Sequence, residues 1–283
     1  MVLLSRLRRH GRVLASCLLC AAALCAPGLA QDRPSLPDQE KFGRASDEYS
    51  FRFCVDPRDP GWEFDKAIGL AIADSLLLEP RMHVVTDTNE RAEFEDVYRH
   101  LLADCAVYFG FKLFAGGYPE WVTVTRAYYE TGYVFVAKSP APATLGDIAP
   151  GQALGATIGS AADFRLVQFN NSRPAGERWR RFPMATDTQA LDAVLSDTVA
   201  AALVWAPSFY ALGKSRPDIA ALDIIASPSP LNLPPVPIGG VMLSRDTFLR
   251  NNIDQAIAAL VADGVVDELL TQIDMPGAAP SNP

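Results

Sequence analysis

The sequence predicts an α/β protein made of two successive halves, each built on a parallel-dominated sheet. Two observations carry this prediction. Short apolar runs alternate with segments whose apolar residues recur every three or four positions, and the alternation starts afresh near Ala153. The patterned stretch between the polar ends is about 225 residues long, enough for one large domain or two smaller ones.

The elements follow in order. Phe51-Arg52-Phe53-Cys54-Val55 reads as a strand closed by the turn signal Asp56-Pro57. Phe64, Ile68, Ile72 and Leu76 then recur every four residues, which places them on one helical face. Val84 and Val85 suggest a second strand, Phe94, Val97 and Leu101 a second helix, and Ala106 to Phe109 a third strand entering Gly110. This βαβαβ order implies parallel pairing. Tyr133 to Val136 is a further strand, followed by the loop Ser139-Pro140-Ala141-Pro142. The second half repeats the grammar with a strand from Ala153 to Ile158, a helix opening at Ser160, a helix from Gln189 to Leu195 and a strand from Val199 to Trp205. Beyond the proline-rich segment Pro228 to Pro237 comes a strand at Val241-Met242-Leu243. Ile253, Ile257, Leu260 and Val261, then Leu269, Leu270 and Ile273, mark two helices separated at Asp263-Gly264.

The ends are of a different kind. Arg6, Arg8, Arg9 and Arg12 precede an apolar run from Val13 to Leu24 that closes on small residues, the pattern of a signal peptide over residues 1–30. The run is about a dozen residues, short of the roughly 20 that cross a bilayer core. Residues 31–47 read as a disordered linker and residues 276–283, rich in proline, as a disordered tail. Loss of the leader takes four of the 25 basic residues and none of the 33 acids, which leaves a net charge of −12. That balance excludes a basic nucleic-acid footprint and suits solubility or a basic partner. Cys17, Cys20 and Cys25 would leave with the leader, so Cys54 and Cys105 are the thiols that remain in an oxidising compartment. They allow one pairing, with two separate buried thiols as the alternative. A bridge would close a loop of about 50 residues, worth roughly 4 kcal/mol in the chain-entropy model.

Four blocks then carry a family resemblance. They are Phe53-Cys54-Val55-Asp56-Pro57, Glu63-Phe64-Asp65 at a helix entry, Ala106 to Gly110 with Pro119-Glu120 and Thr125-Arg126-Ala127-Tyr128-Tyr129, and Asp197 to Trp205. In order and spacing they resemble the type 2 periplasmic binding fold of the family 3 solute-binding proteins. They look closer still to the MxaJ and XoxJ type proteins associated with PQQ-dependent quinoprotein methanol dehydrogenases. The resemblance extends to Tyr133-Val134-Phe135-Val136 and to Val204-Trp205-Ala206-Pro207 with Phe209-Tyr210, and it implies a Cys54–Cys105 disulfide. It also implies a discontinuous first lobe over residues 48–136 plus 237–275, a second over 137–236, two crossing hinge strands and a ligand crevice between the lobes. The expected location is the periplasm. The expected role is an accessory protein of alcohol oxidation that binds a partner dehydrogenase or a small ligand. The alternative is the substrate-binding component of an ABC transporter, with a permease as partner.

One departure bears on the ligand. Amino-acid receptors of this family resemble one another in an arginine after the glutamate of the Pro-Glu pair, and here that position is Trp121, with Ala67 where an acidic residue is often found. A guanidinium bonds a carboxylate bidentately, and an indole cannot. A standard amino acid is therefore not the expected ligand. The crevice candidates are Asp56, Trp62, Glu63, Phe109, Phe111, Trp121, Arg126, Ser160 and Trp205. The set could stack on a ring or hold a cation. The plainer readings are core packing for Phe109 and Trp205, a lobe edge for Trp62, helix capping by Ser160 with Asp163, and a salt bridge within a lobe for Arg126.

Catalysis has little support. His83 and His100 are the histidines beyond the leader, and surface or core roles suit them better than ligation. Beyond the leader, no GxSxG, HExxH, CxxC or phosphate-loop motif occurs. A carboxylate enzyme would have to use Glu63 or Glu120. The expectation is a binding protein with no cofactor and no metal.

Overall fold

A computed structural model describes residues 49–86, 93–114 and 116–281 of the chain. The expected signal peptide and linker lie outside the described residues. The remainder forms two sheets.

The first lobe begins with β1 (Ser50–Val55), α1 (Trp62–Ser75), β2 (Glu79–Val84), α2 (Phe94–Ala103) and β3 (Val107–Lys112). β1 pairs in parallel with both β2 and β3, as the βαβαβ reading requires. Nearly every residue of β1 is buried, because helices cover a parallel sheet on its faces. The predicted stripe on α1 is the buried one, Phe64, Ile68 and Ile72 packing on Phe51, Phe53 and Val55. β4 (Val122–Val124) and β5 (Tyr129–Thr131) extend this sheet, and both pair antiparallel with β11 (Val236–Leu243), which lies against β3. α7 (Thr247–Ala262) and α8 (Val265–Ile273) complete the lobe, divided as predicted at Gly264, whose φ of 76° ends the first helix.

The second sheet has the order β10-β6-β9-β7-β8. Its strands are β6 (Tyr133–Lys138), β7 (Ala153–Thr157), β8 (Arg180–Met184), β9 (Ala201–Trp205) and β10 (Leu222–Ile224). They carry α3 (Ala161–Ser172), α4 (Asp187–Leu195), α5 (Ala206–Ser215) and α6 (Pro217–Ala220). β7 is parallel to β8 and β9, and β6 is antiparallel to β9 and β10.

Two expectations need correction. The strand at 133–136, assigned to the first lobe, belongs wholly to the second sheet through its pairing with β9, so the chain changes sheet at Gly132. A strand's lobe is set by its hydrogen-bonded neighbours, and apolar patterning does not reveal them. The proline-rich tail is also ordered as far as it is described. Ala278, which has the N–H that a proline lacks, exchanges both backbone bonds with Glu130, while the Thr131 hydroxyl donates to the Pro276 carbonyl at 2.6 Å.

Cys54 and Cys105 form a disulfide with Cα atoms 5.6 Å apart, which joins β1 to the segment entering β3.

Candidate functional site

The C-terminal ends of β1 and β3 bring a set of polar groups together beside the second lobe. The turn after β1 holds Asp56, whose carboxylate accepts from the Arg58 guanidinium at 2.6 to 3.0 Å, from the Arg58 backbone N–H, and from the Tyr108 hydroxyl at 3.0 Å. Burial alone would raise this carboxyl, but the bonds from Arg58 and Tyr108 outweigh it and hold the carboxyl below its usual range. Asp56 is thus a structural anchor of its own turn, with its acceptor sites already used.

Three residues on, Asp59 accepts from the Gly61 N–H at 2.6 Å. Burial pushes its carboxyl up to about 6, against the opposing effects of that bond and of Lys112. Asp65, on the first turn of α1, is buried and raised well above the carboxylate range, first by burial and then by the Asp59 charge. It takes a short hydrogen bond from the Tyr128 hydroxyl, which in turn accepts from the Gly110 N–H at 2.9 Å. Gly110 has a φ of 91°, and a Cβ there would lie 2.8 Å from the Asp65 carboxylate, so the approach of β3 to α1 requires glycine.

Lys112, the last residue of β3, crosses to the second lobe. Its ammonium lies 3.8 Å from the centroid of the Trp205 ring and donates to the Tyr133 hydroxyl at 3.1 Å. Tyr133 on β6 and Trp205 on β9 are direct cross-strand partners with their rings edge to face, so the second sheet presents them as one aromatic wall. Burial lowers the Lys112 pKa, while the charges of Asp59 from the first lobe and Asp187 from the second resist that shift. Asp187 opens α4 and accepts from the Thr157 hydroxyl. The crevice therefore contains an aromatic cation seat flanked by a carboxylate from each lobe, and the chain's own lysine is in it.

Trp205 also packs within the apolar cluster of the first lobe, with Phe64, Tyr129 and Met242 in the same cluster. A second bond between the lobes runs from the Lys214 ammonium on α5 to the carbonyl of Ile273, at 3.0 Å. A cavity of ≈ 150 Å³ opens among Leu113, Tyr133, Ala162, Arg165 and Pro235, and one of ≈ 220 Å³ among Asp59, Trp62, Glu63, Tyr210 and Met275.

The residues predicted from sequence separate on this frame. Trp205 lies in the crevice, Trp62 and Glu63 line the larger cavity, and Asp56 sits beside Asp59. Phe109 is a core residue, 5.9 Å from the Phe53 ring and edge-on to Tyr128. Phe111 packs edge-on to Tyr108. Trp121 lines neither cavity and rests on Phe94 and Tyr98, which lie one turn apart on α2 and offer it an apolar shelf. Arg126 is held through its backbone N–H, which donates to Asp254 on α7 at 2.6 Å. Ser160 caps α3 by accepting from the Asp163 N–H, while Asp163 is engaged by Arg181. Glu63 and Glu120 are both exposed, without the enclosure that a buried acid or base requires.

Sequence reasoning missed Asp59, Lys112, Tyr133 and Asp187. The signals were the second aspartate in Asp56-Pro57-Arg58-Asp59-Pro60-Gly61 and the single cation ending the aromatic strand Val107-Tyr108-Phe109-Gly110-Phe111-Lys112.

No protein-family model matches the chain, and no curated protein does. Solved structures do. An ancestral arginine-binding protein bound to arginine aligns over 79% of this chain and 97% of its own, at 18% identity and a TM-score of 0.52. The second substrate-binding domain of a proposed amino-acid ABC transporter from Streptococcus pneumoniae aligns over 74% and 88%, at 14% identity and a TM-score of 0.58. A histidine kinase sensor domain with similarity to periplasmic binding proteins aligns over 83% and 100%, at 13% identity and a TM-score of 0.55. With two sheets, two crossings between them and a polar crevice at the junction, the chain adopts the two-lobed fold of the periplasmic binding proteins.

Proposed function

We propose that this chain is an exported, non-enzymatic protein that uses the solute-binding fold to engage a partner, with Lys112 standing in the crevice as a tethered occupant. The observation that carries this reading is the Lys112 ammonium 3.8 Å from the Trp205 ring. A tethered group acts at an effective concentration of about millimolar, so a cationic solute has to displace it before binding. The leader-like first 30 residues and the extracytoplasmic neighbours support export. The partner we favour is a quinoprotein alcohol dehydrogenase of the PQQ-dependent methanol-oxidation type. That choice rests on the resemblance carried by Cys54, Cys105, residues 125–136 and residues 204–210.

A pull-down at low salt tests the partner, with expected retention of the dehydrogenase at micromolar protein. No retention at that concentration refutes it.

A second reading, the receptor of an ABC importer for a small solute other than an amino acid, is favoured by the neighbours described as ABC transporter components. A thermal-shift screen of periplasmic metabolites separates the two. A ligand at a hundred times its dissociation constant adds roughly 2.7 kcal/mol. Under the first reading the wild type stays silent, and Lys112→Met gains a response to organic ammonium compounds. A response of the wild type at low micromolar ligand establishes the second.

A further inference from the structure

The two histidines of the described residues meet at one point outside the crevice. His83 lies on the edge strand β2, His100 on the last turn of α2, and Asp104 directly after that helix. Asp104 Oδ2 is 2.8 Å from His100 Nδ1 and 3.7 Å from His83 Nε2, the two rings are 5.3 Å apart, and the three ligand atoms all lie within 4.8 Å of one another. We propose that His83, His100 and Asp104 form a binding site for a divalent transition-metal ion of the zinc class.

The spacing suits such an ion. Zinc bonds of about 2.0 to 2.1 Å in a tetrahedron set neighbouring ligand atoms about 3.3 Å apart. The observed separations from Asp104 fall on either side of that distance, so modest side-chain adjustment brings all three atoms onto one ion. Two imidazoles and one carboxylate select borderline ions, whereas calcium and magnesium take oxygen ligands. His100 is the deep ligand, with 10% of its side chain exposed, and His83 and Asp104 stand at the mouth with 37% and 35%. Water or a donor from another molecule would approach from the side of His83 and Asp104, the two more exposed ligands.

A second observation is independent of these distances. Cys54 is the register partner of His83 across β1 and β2, Cys105 follows Asp104 in the chain, and the Cys105 N–H donates to the His100 carbonyl. The Cys54–Cys105 disulfide therefore ties the strand beside His83 covalently to the turn that carries Asp104. A site assembled from a strand and a helix needs that fixing, because its ligands have no shared local geometry. The competing explanation is a plain Asp104 to His100 hydrogen bond one helical turn apart, against which His83 happens to pack.

The experiment is titration calorimetry of untagged, oxidised, chelator-treated protein with zinc chloride in metal-free buffer. The expected result is one equivalent bound with a dissociation constant of 10 μM or tighter, weakened at least tenfold in His83→Gln and in Asp104→Asn, with no heat from calcium or magnesium. His83 is on an exposed edge strand, and Asp104→Asn is isosteric, so far-UV circular dichroism is expected to confirm that both variants fold. Absence of saturable zinc binding overturns the proposal, and so does binding that neither variant weakens.

Discussion

Replacing Asp59 with asparagine is expected to stabilise the protein at neutral pH. The Asp59 carboxyl is raised from 3.8 to about 6, chiefly by burial. A carboxyl whose folded value lies above its unfolded one contributes stability that is fully present below the unfolded value and is lost as pH rises through the folded value. For Asp59 that loss runs from about pH 4 to somewhat above pH 6. About two units, at 1.36 kcal/mol each, amount to roughly 3 kcal/mol forfeited at neutral pH. Asparagine keeps an oxygen for the Gly61 N–H, now met at 2.6 Å, so the turn is retained. It removes a charge that supports the Lys112 ammonium, which trims the gain to about 1 to 3 kcal/mol. Urea unfolding of both proteins at about pH 4 and about pH 7.5 measures this. The variant is expected to be more stable at the higher pH, with the difference shrinking toward zero at the lower, where wild-type Asp59 is itself protonated. A variant less stable at neutral pH, or a difference that ignores pH, would refute the reasoning.

Three further outcomes are expected. Removal of the disulfide by a Cys54→Ala, Cys105→Ala double substitution, which frees a bridge of sequence separation 51, is expected to lower unfolding free energy by about 4 kcal/mol in urea denaturation. Gly110→Ala is expected to lower the melting temperature, at a cost of about 2 kcal/mol or more, since it meets both a positive φ and the Asp65 carboxylate. Ser160→Ala is expected to cost about 1 kcal/mol through loss of the cap on α3, read as a shifted denaturation midpoint with an unchanged slope.

What the sequence made legible was whatever repeats locally. The four-residue recurrence of Phe64, Ile68 and Ile72 fixed the buried face of α1, and the strand-helix alternation foretold parallel pairing of β1, β2 and β3. Ser160 announced a helix start through its hydroxyl and the aspartate that follows. Pairings between distant segments were not legible. Nothing near Tyr133 states that its neighbour is Trp205, and nothing near Lys112 states that its stem ends over that indole. Trp121 was placed in the crevice by analogy of position, whereas the two aromatic rings of α2 hold it elsewhere. His83 and His100 gave no metal signal because their meeting depends on a strand edge and a helix end that only the tertiary fold brings together.

Trp205 belongs by hydrogen bonding to one lobe and by packing to the other. A motion that drew the lobes fully apart would pull an indole from an apolar core into water. For an aromatic side chain of about 150 to 250 Å², at about 25 cal/mol per Å², that is roughly 4 to 6 kcal/mol. At 1.4 kcal/mol per factor of ten, this one contact would weight the closed arrangement by at most about 10³ to 10⁴, since Tyr133 of its own sheet keeps an edge of the ring covered. Anything that must enter between the lobes would first have to break this contact. Its capture rate would then be set by how often the indole lets go.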